Sequence, residues 1–215
     1  LKVVNFKKGS EIITPCLNFG TAISSITLSN LVPVFVDCEI NTLQIDVSKI
    51  EKKITKKTKA IVPVHFTGYM TNMIEINKIS KKYKIPVVED ACQSILASIN
   101  NKNSGTWCNF GAFSLHPLKN INVWSDGGII TTNNKTYYKK ILLLRNHGLK
   151  DRDTAVIQGY NSRLDTFQAV VGNWLLPKAK SIANKRISNA KIIEDNYLDT
   201  LQNNKSKPRI PFGSL

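Results

Sequence analysis

CNFGAFSLHPLKNINVWSDGG, residues 108–128, is the stretch whose reading decides the fold. Phe110 to Leu115 is apolar and aromatic with small residues between, the composition of a buried strand. It ends at His116-Pro117 because proline fixes φ and cannot donate to a ladder. Lys119 therefore falls just past a buried strand end. An amine held there loses part of its hydration, which lowers its pKa and favours the neutral nucleophile that forms a Schiff base with an aldehyde cofactor. A solvated loop lysine fits the same position equally well, so its partners have to decide.

Those partners lie on both sides of it. Upstream, Pro86-Val87-Val88-Glu89-Asp90-Ala91 is a short apolar run ending in acids. That pattern suits a buried parallel strand delivering a carboxylate to the C-terminal edge of a sheet, where α/β ligand sites lie. Asp90 is the candidate carboxylate. Gln93 follows it by three positions, and Ser114 precedes Lys119 by five.

Working outward, Glu11 to Pro15 reads as a strand, Thr21 to Leu28 as a helix and Pro33 to Asp37 as a second strand, a βαβ start. Val47 to Ile54 is a charged amphipathic helix, Lys59 to His65 a strand, and Ile74 to Tyr83 a helix leading to the Asp90 strand. After the lysine loop come a strand at Ile129 to Thr132, a helix at Lys135 to Leu144 and a polar loop from Lys150 to Gln158. A helix from Gln168 to Leu176, stopped by Pro177, and a lysine-rich helix from Ala179 to Leu201 complete the pattern. Alternating strands and helices predict a mostly parallel sheet with helices on both faces and right-handed crossovers.

Composition bounds the function. With 215 residues, 42% hydrophobic and 21% charged, the chain reads as a soluble globular domain. It has no apolar run of the roughly 20 residues a membrane span needs, and Leu1-Lys2-Val3-Val4 lacks a signal-peptide pattern, so a cytoplasmic protein is expected with no membrane partner. Cys16, Cys38, Cys92 and Cys108 form no CxxC pair and read as reduced thiols. His65, His116 and His147 lack ligand spacing, and no metal is expected. The net charge of +15 invites a nucleic-acid reading. Only five of the basic residues are arginine, however, and bidentate phosphate and base recognition lean on arginine. Dispersed lysines on solvated helix faces account for the charge, and no nucleic acid is expected. A basic, non-catalytic α/β module binding nucleic acid or acidic ligands remains the alternative from another class, and an inactive scaffold fragment is a third.

The ordered set VVEDACQ, GAFSLHPLKN and DGG resembles the DegT/StrS sugar aminotransferases, whose usual run is an EDAAQ-like strand end, an SFHPTKN-like lysine loop and a GDGG-like turn. EIITPCLNFGTAISSI followed by PVFVD is similar to that family's opening βαβ, and GYNSRLD at 159–165 to a later motif. The resemblance implies a pyridoxal-phosphate (PLP) enzyme of the aspartate-aminotransferase fold. Residues 1–176 would be the large domain, α/β with a mostly parallel seven-stranded-type sheet, and 177–215 a long helix and the start of a small C-terminal domain. It also implies roles. Lys119 bonds the cofactor, Asp90 faces the pyridine nitrogen, Gln93 lies near the ring hydroxyl and Ser114 binds the phosphate. Phe19 takes the aromatic place over the ring, although core packing suits the residue as well and Asn18 departs from the usual threonine. Asn161 reaches the cofactor phosphate of the other subunit of a homodimer. His65 either borders the substrate or is a hydrogen-bonded structural histidine.

The implied reaction moves an amino group, from glutamate, to a nucleotide-linked keto-sugar in a ping-pong cycle, within amino-sugar and surface-polysaccharide biosynthesis. Relatives with histidine in the lysine position dehydrate sugars instead; this chain keeps Lys119. Family members run to roughly twice this length. The chain is therefore expected to be a fragment, without the glycine–threonine turn that holds the cofactor phosphate and ending at Ile210-Pro211-Phe212 as the small domain begins.

Overall fold

Ile12 and Ile13 are adjacent and both fully buried, which requires a strand covered on both faces. In the computed structural model, which describes residues 1–203, they belong to β1 (Glu11–Pro15). The chain continues through α1 (Gly20–Thr27), β2 (Val32–Val36), α2 (Val47–Ile50), β3 (Thr58–Ile61), α3 (Met73–Tyr83) and β4 (Val88–Asp90). A small hairpin, β5 (Ser98–Ile99) and β6 (Lys102–Asn103), precedes β7 (Phe110–Ser114) and β8 (Gly128–Thr131). Three helices follow: α4 (Lys135–Arg145), α5 (Thr166–Leu175) and α6 (Ala179–Asn203). The expected opening of a second domain at Ile210-Pro211-Phe212 lies outside the described residues.

β2, β1 and β3 pair in that order, all parallel; β4 and β7 are parallel, and β8 closes the edge antiparallel. The two groups join between β3 and β4 through hydrogen bonds from Ile61 N to Pro86 O, His65 N to Asp90 O and Asp90 N to Pro63 O. The strand expected over Lys59–His65 is shorter: Pro63 has no N–H to give the ladder, and beyond Ile61 the links are Val62 N to Ile13 O and the bridge between Val64 and Asp90. Two helix expectations also change. The segment expected as a helix over Val47–Ile54 tightens after one turn into a 3-10 helix at Glu51–Lys53, and Pro177 sits inside a 3-10 turn that leads straight into α6 instead of stopping the chain's helical course.

The sheet divides its side chains as the pleat demands. Ile13, Val36, Ile61 and Val87 pack with Met73, Ile76 and Ile79 of α3 on one face. Ile12, Ala60 and Val62 pack with Ile26 of α1 and Leu31 on the other, joined by Val88. Asn72 caps α3 by accepting from Glu75 N at 3.2 Å.

Glu89 is the charged group in this core. It is fully buried and faces the α3 side, in step with Val87. Its Oε1 accepts from Trp107 N at 2.7 Å and Cys108 N at 3.1 Å; its Oε2 accepts from Gly105 N at 2.8 Å. His65, also fully buried, completes the set with Nε2 3.2 Å from Oε2. Thr71 N donates to Nδ1 of that ring at 3.3 Å, which leaves Nε2 to carry the hydrogen that Glu89 receives. His65 thus takes the structural, hydrogen-bonded alternative. Behind the turn, β7 passes so close that a Cβ on Gly111 would collide with the backbone of Gly105.

Glu89→Gln turns one of the two accepting oxygens into an NH₂, and either of them faces a backbone donor. Loss of about 3–5 kcal/mol is expected, read as a lowered urea midpoint, with Asp90→Asn nearly unchanged in the same assay. Equal effects of the two changes would contradict the structural role given to Glu89.

Candidate functional site

Asp90 is one residue beyond Glu89 and therefore projects to the opposite face, at the C-terminal end of β4. Its Oδ1 accepts from Cys92 N at 3.1 Å, an Asx-type turn that carries the chain away from the strand end. The neighbouring parallel strand β7 runs two residues further than β4, to Ser114, since Asp90 pairs with Ala112. Two adjacent strand ends thus deliver a carboxylate and a hydroxyl to one edge.

The lysine loop is folded back over that edge. Ser114 Oγ accepts from His116 N at 3.2 Å, His116 Nδ1 accepts from Leu118 N at 3.2 Å, and Lys119 N donates to His116 O at 2.8 Å. Val123 N returns to Leu115 O at 3.1 Å and shuts the loop. Leu115, Ile121 and Val123 anchor it by packing with Ala179 at the start of α6, against Leu164 and Leu175. Lys119 is half-buried between these anchors. Gln168 ties the same region to α5: its Oε1 accepts from Asp165 N at 3.2 Å and its Nε2 donates to Asp126 O at 2.7 Å.

A cleft of ≈ 350 Å³ opens where these parts meet, within the usual range for small-molecule sites. Gln93, Ser114 and Lys119 line it, together with Thr67, Cys92 and Phe113. The structure therefore gathers Lys119, Gln93 and Ser114 in one cleft; Asp90 does not line it but accepts from the N–H of Cys92, which does. Phe19 and Asn161 stand apart. Phe19 is 72% exposed at the residue before α1, and Asn161 is exposed on the loop before α5, its Oδ1 accepting from Arg163 Nε at 3.2 Å.

Two lining residues carry no signal that sequence reasoning picked up. Thr67 holds φ at 58°, a left-handed conformation that a β-branched residue resists, and its N–H donates to Gln93 Oε1 at 2.9 Å. The strained backbone fixes the Gln93 oxygen and leaves its NH₂ for the cleft. Cys92 lies two residues past Asp90, to whose carboxylate its N–H donates at 3.1 Å. Burial, reinforced by the Asp90 charge and a hydrogen bond to it, pushes its thiol up to about 12 against the opposing pull of Lys119. Burial and the Glu89 charge push the Cys108 thiol to about 12 as well.

This donor set suits an aldehyde cofactor bearing a phosphate: an amine for the carbonyl, a hydroxyl for phosphate oxygens and a carboxylate for a ring nitrogen. Among the described residues no group of three or more His, Cys, Asp or Glu side chains is placed to hold a metal ion, and no helix is long and apolar enough to cross a membrane.

The sequence matches the model of the DegT/DnrJ/EryC1/StrS aminotransferase family over residues 1–209, and the chain belongs to that family. It is 40% identical over 163 residues to dTDP-3-amino-3,6-dideoxy-alpha-D-galactopyranose transaminase of Aneurinibacillus thermoaerophilus, covering 76% of this chain and 45% of that protein. It is 39% identical over 171 residues to a pleiotropic regulatory protein of Geobacillus stearothermophilus, covering 80% of this chain and 46% of the other. Among solved structures, the E. coli GDP-4-keto-6-deoxy-D-mannose-3-dehydratase with bound hydrated PLP superposes with a TM-score of 0.82 at 32% identity, over 90% of this chain and 55% of that one. The chain spans about half the length of these relatives.

A raised thiol pKa means that the reactive thiolate appears only at high pH, so Cys92 and Cys108 stay protonated around neutrality. At pH 8 iodoacetamide is expected to label exposed Cys16 at least about tenfold faster than either of them, read by peptide mass. Equal labelling would show that burial does not protect the Cys92 and Cys108 thiols as described.

Proposed function

We propose that this chain forms the cofactor-binding core of a PLP-dependent aminotransferase that places an amino group on a nucleotide-linked keto-sugar, with glutamate as donor. The observation that carries the reading is the cleft in which Lys119, Ser114 and Gln93 converge beside Cys92, whose N–H Asp90 accepts. Family membership and the transaminase named among the relatives support it.

Pyridoxal phosphate, when bound, supplies an electron sink for the bond breaking at the substrate carbon. The chain's own residues then have separate tasks. Lys119 would hold the cofactor by its aldehyde, give way to the amino donor, and afterwards move a proton at the substrate carbon; positioned acid–base work of this kind contributes about 10²–10⁴ in rate. The Asp90 carboxylate would keep a ring nitrogen protonated. Ser114 Oγ already accepts from His116 N, so its own hydrogen is available to a phosphate oxygen. Gln93, its oxygen held by Thr67, would offer its NH₂ near the ring hydroxyl.

The residues that stand apart fit a paired arrangement. We take the enzyme to be a homodimer in which Asn161 serves the partner's cofactor phosphate, while Phe19 turns onto the ring of its own subunit. An exposed apolar stripe supports a partner surface: Phe167, Val170 and Trp174 lie along one side of α5, and Trp124 meets Phe167 with ring centroids 5.8 Å apart. In the same reading residues 1–176 form the large domain, and α6 leads from it toward a smaller one.

A half-reaction screen of the full-length protein tests the proposal. Glutamate should convert the cofactor absorbance to its amino form, and a nucleotide-linked keto-sugar should restore it, whereas Lys119→Ala should do neither. A protein that binds no cofactor, or binds it and responds to no amino donor, would overturn the reading. The shared site has its own test. Mixing Asn161→Ala chains with Lys119→Ala chains places both defects in one site of the mixed dimer and leaves the other intact. Activity should reappear on mixing. A mixture that exchanges subunits yet stays as inactive as its parents would contradict the assignment of Asn161.

A further inference from the structure

Two thiols lie side by side at the C-terminal ends of adjacent strands. Cys16 follows the last residue of β1, and Cys38 lies two residues past β2; Pro15 pairs with Val36, and Cys16 N extends the ladder to Val36 O at 2.9 Å. Neighbouring parallel strands run about 4.8 Å apart. The sulfurs are 4.0 Å apart, and Cys16 is exposed. Nothing in the function proposed above uses them.

The surroundings hold one thiol and leave the other accessible. Asp37 Oδ1 accepts from Cys38 N at 2.9 Å and lies 3.8 Å from Cys16 Sγ, while Lys49 Nζ is 3.1 Å from Asp37 Oδ2. The Cys38 N–H and the Lys49 ammonium keep the Asp37 carboxyl below its ordinary range, so the turn after β2 is tied down by a charged anchor. On the other side Asn18 Nδ2 donates to Pro15 O at 2.7 Å, and the chain reaches Phe19 three residues past Cys16. Because Pro15 pairs with Val36, Cys16 stands opposite Asp37 and Cys38 lies one residue further on, so closing the sulfurs from 4.0 Å to the roughly 2.05 Å of a disulfide needs side-chain rotation along a diagonal of the ladder.

We propose that Cys16 and Cys38 form a reversible dithiol–disulfide modification site that reacts with low-molecular-weight disulfides. Exposed Cys16, as thiolate, attacks one sulfur of the reagent; that S–S bond breaks and one reagent thiolate leaves. The Cys38 thiolate then attacks Cys16 Sγ and expels the second reagent thiolate. The protein has lost two electrons and two protons, and the reagent disulfide has become two thiols. Burial pushes the Cys38 thiol up, which lowers the thiolate fraction available for the second step, while the 4.0 Å separation of the sulfurs makes that step intramolecular. The closed bond would fasten the turn that carries Phe19 to the end of β2, and it would enclose α1 and β2 in one covalent loop.

The test uses native full-length protein and oxidised glutathione, with an acid quench, alkylation of remaining thiols and peptide mapping. Wild type should pass through glutathione on Cys16 to a Cys16–Cys38 cross-linked peptide, and dithiothreitol should restore both thiols. Cys38→Ser should stop at the mixed disulfide, and Cys16→Ser should give no cross-link. Wild type in which both cysteines remain alkylatable, or in which Cys16 keeps glutathione without cross-linking, would overturn the proposal. The thiol count is independent of cofactor binding, so this result and the half-reaction screen can fail separately.

Discussion

The buried Glu89 carboxylate is the constraint on which the site depends. A carboxylate without water must find donors for its oxygens, and here it takes three backbone N–H groups from the 105–108 turn and a fourth hydrogen from His65. Those bonds fix the rotation of β4 about its own axis. Since alternate strand residues face opposite ways, holding Glu89 on the α3 side forces Asp90 to the other face. The sheltered acid thus aims the one proposed to face the cofactor. The same bonds pin the turn against which β7 packs through Gly111, so the strand that carries Ser114 is placed by the same carboxylate.

From that edge outward, the site is assembled by short-range links. Ser114, His116 and Lys119 are chained by hydrogen bonds within six residues, and the loop's apolar members, Ile121 and Val123, hold it down against the start of α6. An amine on a loop is a mobile group unless the loop is packed, and these two side chains remove that freedom. Gln168 carries the restraint on to α5, whose exposed stripe faces away from the core. Local packing and the proposed subunit contact are therefore adjacent on the chain.

The strand ends were legible because their physics is local. An apolar run closed by Glu89-Asp90 and another closed by His116-Pro117 announce both direction and termination, and the structure ends β4 at Asp90 and β7 at Ser114. Legibility failed where position depends on contacts distant in sequence. Pro63 shortens β3 by removing one donor that the apolar pattern does not weigh, and the 98–103 hairpin has too few residues to show a period. Thr67 was invisible because its partner Gln93 is 26 residues away and no property of threonine announces a left-handed backbone. The partners of Glu89 were hidden for the same reason, since a carboxylate beside another in sequence gives no sign of which one is sheltered. Part of the lysine excess lies on a solvent-facing segment: Lys52, Lys53, Lys56 and Lys57 are exposed between α2 and β3.

The central claim is that Lys119, and no other of the chain's many lysines, is the amine the fold presents to the cofactor. The most direct measurement is borohydride reduction of PLP-loaded full-length protein, followed by proteolysis and mass mapping of the labelled peptide. The account predicts a single stable adduct on the peptide containing Lys119, lost in Lys119→Ala. An adduct on a different lysine, or label spread over the exposed lysines with none on Lys119, would contradict it.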